Sequence, residues 1–231
     1  MFYTQPFINS LRIFGINNFK IMRYLAGFSI IIAVALLSSC IKHEVIPAPT
    51  KRVDLPASFT ASLNGFGYEI IKDIDGYSCK ATQAKELLPT PQLSNMIYYS
   101  SLQSQEKLDF IQIGIGKLKF NADHNLDPSL SAFKDFFIDE PIRDYSEGAE
   151  DGVEIIFRDG SGKIWKSDET IPGQSFEFTD AVIESDEFGD YLKFTAKFNA
   201  VLVLDIDDVD HPDYGSISTL ENATFQGYFK R

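Results

Sequence analysis

The stretch Phe59-Thr60-Ala61-Ser62-Leu63-Asn64-Gly65-Phe66-Gly67-Tyr68-Glu69-Ile70 decides the fold class. Apolar side chains alternate with small or polar ones on both sides of Asn64-Gly65, which is typical of two half-buried strands. Asn-Gly favours a two-residue type I′ turn. Such a turn gives three cross-strand pairs: Leu63 with Phe66, Ala61 with Tyr68, and Phe59 with Ile70. The turn and the apolar pattern give the same register, so we predict a β-hairpin.

The longest alternation of apolar and polar residues runs from Leu192 to Leu204. The apolar side chains at every second position share one face of an extended chain: Leu192, Phe194, Ala196, Phe198, Ala200, Leu202 and Leu204. The opposite face is polar as far as Asn199 and apolar at Val201 and Val203. This pattern predicts a long strand that is buried on one face and covered on both faces at its far end.

The same alternation predicts further strands at 96–100, 108–120, 153–157, 164–165, 176–183 and 223–229. In the strand at 108–120 the apolar positions change face near Gly114 and Gly116, which predicts a bulge or bend. A two-residue turn at Gly160-Ser161 would place Trp165 opposite Ile156.

One helix is predicted after Asp127-Pro128, with Asp127 as the N-cap and Pro128 as the first helical residue. An apolar stripe at helical spacing follows, and Pro141 ends it; the stripe consists of Leu130, Phe133, Phe136 and Phe137. Residues 84–88 also have the composition of a helical turn, because two prolines follow them.

Eight or nine strands, short turns and one short helix predict a mainly β fold, either an antiparallel β-sandwich or a flattened barrel. The chain has no alternation of strands and helices, so a doubly wound α/β fold is not expected.

The first 40 residues have the pattern of an export signal. An apolar run at 24–37 follows Lys20 and Arg23, and at about 14 residues it is short for a membrane-spanning helix, which needs about 20. It leads into Leu37-Ser38-Ser39-Cys40, which resembles the lipobox of bacterial lipoproteins. The resemblance implies that residues 1–39 are a signal peptide and that Cys40 becomes a lipidated N-terminus.

Other readings of this segment stay open. Met22 is an alternative start to Met1. Cleavage without lipidation and an uncleaved membrane helix are the alternatives to lipidation. Residues 40–56 contain Pro47, Pro49 and Pro56 and are predicted to form an extended tether, with a single β domain at 57–231.

Charge and cysteine content limit the function classes. Loss of Arg12, Lys20 and Arg23 with the signal peptide changes the net charge from −12 to −15. Most of the acidic residues lie in the half from residue 121 onwards, so this half repels phosphate and nucleic acid is not an expected partner. After lipidation Cys79 is the remaining cysteine, so a disulfide within the monomer is excluded. We interpret Cys79 as a small apolar side chain.

Two groups of acidic residues are candidates for a metal site or a catalytic site. Five aspartates lie at 205–213, directly after the long strand, and their carboxylates are oxygen ligands of the kind that Ca²⁺ prefers. The central glycine and the closing glutamate of an EF-hand are missing. A second group lies at 139–151 and could supply a carboxylate pair for glycoside hydrolysis: Asp139, Glu140, Asp144, Glu147, Glu150 and Asp151. Trp165 suits either core packing or sugar stacking, and we favour core packing. We assign no catalytic residue, cofactor or metal ligand.

The overall pattern resembles lipoproteins of the Bacteroidetes that have no established activity. The matching features are the lipobox, the hairpin segment after the tether, Gly152-Val153-Glu154-Ile155 before an Asp-Gly turn and Trp165, and Asn222-Ala223-Thr224-Phe225. This resemblance implies a β-sandwich on a lipid anchor in the outer membrane, and it leaves open which face of the membrane carries the protein.

The expected function is a non-enzymatic binding or assembly role at the cell envelope. The expected partners are the membrane, through the lipid anchor, and either a glycan or another envelope protein. Two alternatives are an envelope glycan hydrolase that uses acidic residues and a structural subunit of a surface fibre.

Overall fold

A computed structural model describes residues 50–90, 93–123, 127–206 and 208–231. The predicted signal peptide at 1–39, Cys40 and the part of the predicted tether up to residue 49 lie outside the described residues.

The described part of the chain contains ten strands and one helix. The strands are β1 (Ser58–Leu63), β2 (Phe66–Ile71), β3 (Tyr77–Glu86), β4 (Ser94–Ser104), β5 (Phe110–Phe120), β6 (Val153–Arg158), β7 (Ile164–Ser167), β8 (Ser175–Asp186), β9 (Gly189–Leu204) and β10 (Ile217–Lys230). The helix, α1, spans Leu130–Ile138, and a 3-10 turn occupies Glu147–Ala149. Within the described ranges, no helix is long and apolar enough to span a membrane.

All ten strands belong to one antiparallel sheet. Nine of them follow the order β2-β1-β10-β9-β7-β6-β5-β4-β3, and the tenth, β8, pairs with β9 beside this path. The long strand β9 pairs with β10 along one edge and, along its other edge, first with β8 and then with β7. The sheet does not close into a barrel. The predicted fold class, mainly β and sandwich-like with one helix, is therefore confirmed.

The β1–β2 hairpin has the predicted register. Leu63 pairs with Phe66, Ala61 with Tyr68, and Phe59 with Ile70. Asn64 has φ 51° and Gly65 has φ 85°, as the two central positions of a type I′ turn require. In β9 the seven apolar side chains of the predicted face are all buried, and Val201 and Val203 are half-buried. The predicted irregularity in β5 is a register shift against β4 opposite Ile115–Leu118.

Three local predictions are wrong. Residues 84–86 belong to β3 rather than to a helical turn, because the whole of β3 pairs with β4. The N-cap of α1 is Ser129, whose hydroxyl group accepts the N–H of Ala132 at 3.1 Å, while Asp127 forms an ion pair with Lys85 at 2.6 Å.

The third error is the register of the β6–β7 hairpin, where Trp165 pairs with Phe157 rather than Ile156. The loop is longer than two residues because Asp159 organises it. One carboxylate oxygen of Asp159 accepts the N–H groups of Ser161 and Lys163, and Gly162 takes a left-handed conformation with φ 89°. A turn closed in this way adds a residue to the connection.

The hydrophobic core is rich in aromatic rings. Phe229 stacks on Phe194 with ring centroids 4.6 Å apart and on Phe137 of α1 at 4.8 Å. Tyr98 packs edge-on against Phe133 and Phe137, the two buried side chains of the helix. The helix therefore covers one part of the core through Phe133 and Phe137.

Candidate functional site

Cys40, the predicted lipidation site, lies outside the described residues, so its lipidation stays a prediction. Cys79 is a free, half-buried cysteine whose sulfur lies 3.7 Å from the hydroxyl oxygen of Ser100. Burial raises the pKa of this thiol, which favours the unreactive protonated form.

The aspartates at 205–213 serve mainly in local contacts. Asp205 pairs with Lys166 at 2.8 Å and Asp213 with Lys163 at 2.7 Å. The carboxylate of Asp208 accepts the N–H of Asp210 at 3.0 Å. No group of three side chains suited to holding a metal ion occurs among the described residues, which exclude Asp207.

The acidic residues at 139–151 are spread over several contacts. Glu140 pairs with Arg143 at 2.8 Å, and Glu150 lies 3.6 Å from Lys117. Asp139 is the C-cap of α1, and Glu147 begins the 3-10 turn and borders a cleft.

Trp165 is half-buried against the core, and its indole N–H donates to Asp159 at 3.0 Å. Its packing favours the core interpretation over sugar stacking.

A groove of about 830 Å³ crosses β8, β9 and β10. Each strand contributes exposed or half-buried polar side chains to its lining: Ser175 and Glu177 from β8, Lys197 and Asn199 from β9, and Asn222 and Thr224 from β10. Ser175 pairs directly with Asn199, and Glu177 with Lys197, across the strands. The polar side chains therefore form two adjacent rows that run across the strands.

The central amide of the groove has a fixed orientation. The side-chain oxygen of Asn199 accepts the backbone N–H of Asn222 at 2.8 Å, and its side-chain nitrogen donates to the hydroxyl oxygen of Ser175 at 3.2 Å. Asn222 lies at a register shift of β10 with φ 51°, a left-handed conformation that asparagine tolerates better than most residues. Its own side chain is exposed.

Tyr145 fixes the first wall of the groove. Its hydroxyl group donates to the backbone carbonyl of Asn199 at 3.1 Å and lies 3.4 Å from that of Ser175. Burial raises the pKa of this hydroxyl group, which is protonated at neutral pH even without that shift. The preceding segment is held to β8, because the N–H of Arg143 donates to Phe176 and the N–H of Phe178 donates to Pro141.

Gln174 fixes the second wall, the loop at 168–174. Its side-chain nitrogen donates to the carbonyl groups of Asp168 at 2.6 Å and Ile171 at 2.9 Å. Its side-chain oxygen accepts the N–H of Val201 at 2.8 Å, which joins the loop to β9. Both walls are thus tied to the strands that form the floor.

The groove also offers apolar surface and is rimmed by acids. Ile142 is 69% exposed, and Ile171 and Pro172 line the opposite wall. The charged lining consists of Arg143, which is buried, the exposed Lys197, and the acids Asp144, Glu169 and Glu177. The accessible charge is therefore mainly negative.

A second cleft, of about 420 Å³, is lined by residues 167–170 among others and shares Glu169 with the groove. Its lining includes Glu154, a glutamate that is 7% exposed and that accepts the N–H of Gly148 at 3.1 Å. Burial raises the pKa of the Glu154 carboxyl group. Asp205 lines the same cleft with its partner Lys166.

Comparisons of this chain with protein-family models, with curated proteins and with solved structures find no match. Its function is therefore inferred from its own residues.

The groove was not recognisable in the sequence, because its residues come from four separated segments, at 142–145, 169–177, 197–199 and 222–224. Each is a polar stretch of ordinary composition. The one local signal is the polar half of the outer face of the long strand, which includes Lys197 and Asn199.

Proposed function

We propose that this chain is a lipid-anchored protein of the bacterial cell envelope, of the kind that the lipobox-like tetrad at Cys40 suggests, and that it binds an envelope component through the groove across β8, β9 and β10. The role is non-enzymatic. A diacylglycerol group supplies two acyl chains, and each buried methylene contributes about 0.8 kcal/mol, so two chains hold a protein on a membrane stably.

The observation that carries the binding role is the fixed groove itself. A binding site needs polar groups whose orientation is set before the ligand arrives, since ordering them afterwards reduces affinity. Asn199, Gln174 and Tyr145 are each held by hydrogen bonds to the backbone of a neighbouring segment. The groove thus combines polar rows, apolar walls and a rigid frame.

The anchor and the groove are tested separately. Metabolic labelling with radioactive palmitate should label the wild-type protein, and Cys40→Ala should abolish the label. Equal labelling of the two proteins would contradict the anchor.

The groove is tested by co-sedimentation of the full-length protein, kept in detergent, with detergent-extracted envelope material. A double variant, Ile142→Ser with Asn222→Gly, removes an apolar and a polar contact, and glycine tolerates the left-handed backbone at position 222. The matched control is Val182→Ser with Gln103→Ala, which changes exposed side chains outside the groove. We expect the groove variant to lose binding at least tenfold and the control to bind like the wild type; equal binding of both would contradict the proposal.

A second candidate function, glycan hydrolysis, is favoured by one observation in the second cleft. A general acid needs a raised pKa, and burial raises the pKa of Glu154. Asp205 in the same cleft is paired with Lys166 and offers a second carboxylate. Hydrolysis of envelope glycans that is lost in Glu154→Gln would favour this function; absence of hydrolysis by the wild type would leave the binding role.

A further inference from the structure

We infer that the ligand of the groove is a neutral glycan, an extended chain of uncharged sugar units. This inference rests on the proposed function, because it names the ligand class of the same groove.

The polar rows match the chemistry of sugar hydroxyl groups. A hydroxyl group both donates and accepts hydrogen bonds, and side-chain amides and hydroxyls do the same. Ser175, Asn199 and Asn222 supply such groups from three adjacent strands. Asn199 uses one N–H on Ser175 and one lone pair on Asn222, so a second N–H and a second lone pair remain for a ligand.

The walls match the other property of a sugar, its C–H faces. Ile142 is 69% exposed, and Ile171 and Pro172 line the groove from the 168–174 loop. Small-molecule sites commonly combine apolar walls with a few fixed polar groups. Sugar rings can therefore pack against the walls while their hydroxyl groups meet the rows of the floor.

Charge argues against an anionic ligand. Asp144, Glu169 and Glu177 line the groove, and Lys197 is the exposed cation among its described residues. A phosphate or uronate group would meet repulsion from the acids. A neutral chain avoids this cost.

Backbone pairing argues against an extended peptide. A peptide that adds to a sheet needs an unpaired strand edge. In the groove β9 is paired with β8 on one edge and with β10 on the other. The outer edge of β8 is occupied there by the segment at 141–143, through the hydrogen bonds of Phe176 and Phe178. The groove therefore presents side chains rather than a backbone edge.

The test uses the same co-sedimentation, with the envelope material treated in two ways. Periodate cleaves vicinal diols and so destroys the sugar units that carry them, whereas protease digestion removes proteins. Glycans released from the same material are also separated by anion exchange into a neutral and an acidic fraction. Each fraction is then tested as a competitor of the envelope material for binding to the full-length protein.

We expect periodate to abolish groove-dependent binding, protease to leave it intact, and the neutral fraction to compete at least tenfold more strongly than the acidic one. Groove-dependent binding that survives periodate and is lost after protease would overturn the glycan while the proposed function stands. Stronger competition by the acidic fraction, or competition by neither fraction, would also overturn it. Loss of the difference between the groove variant and its control would instead remove the proposed function.

Discussion

The hydroxyl group of Tyr145 donates a hydrogen bond to the backbone carbonyl of Asn199 over 3.1 Å. This bond joins the segment before β6 to the central strand of the groove, although the two residues are far apart in the sequence. It holds one wall at a fixed distance from the polar floor, so its loss should affect both stability and binding.

Tyr145→Phe removes this bond between the wall and the strand. We expect the free energy of unfolding to fall by about 1 kcal/mol, the usual value for one hydrogen bond. Urea denaturation of the full-length protein measures it. The control is Tyr214→Phe, which removes an exposed hydroxyl group and should change stability by less than about 0.5 kcal/mol. Equal effects at the two positions would contradict a structural role for the Tyr145 hydroxyl group.

Gly116→Ala tests the contact between β5 and the 3-10 turn. A Cβ atom at this position would overlap the carbonyl oxygen of Ala149 and lie 2.9 Å from a side-chain carbon of Ile97. Because the backbone oxygen of Ala149 cannot move away without distorting the turn, we expect a loss of about 3 kcal/mol in the free energy of unfolding. Gly160→Ala is the control, because no atom lies within 4 Å of a Cβ there. A Gly116→Ala protein as stable as the control would show that the turn does not pack on Gly116.

Ser129→Ala tests the start of α1. Loss of the N-cap hydrogen bond to Ala132 should cost about 1 kcal/mol. Asp127→Ala breaks an exposed ion pair with Lys85 and should cost less than about 0.5 kcal/mol. Thermal unfolding of the two variants shows which substitution destabilises the protein more. A larger loss for Asp127→Ala would favour Asp127 as the cap.

Glu154→Gln tests the buried carboxyl group of the second cleft. Because burial raises its pKa in the folded state, the folded protein prefers the protonated form. The free energy of unfolding therefore falls as the pH rises from about 4.3, the value in an unfolded chain, through the raised pKa. The glutamine cannot ionise, so the variant should gain stability relative to wild type at pH 7 and gain less at pH 4.

The control for this pH dependence is Glu187→Gln, at an exposed glutamate of the β8–β9 turn. Urea denaturation at the two pH values measures all three proteins. A stability difference between Glu154→Gln and wild type that is the same at pH 4 and pH 7 would contradict the assignment.

Local chemistry was sufficient to predict part of the fold. Asn64-Gly65 admits one common turn type, and that turn agrees with the apolar pattern on both sides, so the register of β1 and β2 follows from the local sequence alone. The long strand β9 was predicted for a similar reason, since its apolar face repeats without a break from Leu192 to Leu204.

Two of the wrong predictions arise where a side-chain hydrogen bond changes the structure that the local sequence pattern favours. Asp159 closes a longer turn through its carboxylate and moves Trp165 by one position. Ser129 is the N-cap of α1, although the sequence Asp127-Pro128 favours Asp127 in that position. The edge strand β3 is exposed over much of its length, so it lacks the apolar alternation that identifies a strand. The groove was not predictable, because β8, β9 and β10 become neighbours only in the folded sheet.

The most direct test of the binding groove is nuclear magnetic resonance of its side-chain amides in the full-length protein, with released envelope glycans as the titrant. Asn199 and Asn222 line the groove, whereas Asn121 is exposed after β5 and does not line it. We predict shifts for the amide signals of Asn199 and Asn222 and none for Asn121. Unchanged groove amides, or shifts confined to the cleft around Glu154, would contradict the proposed groove.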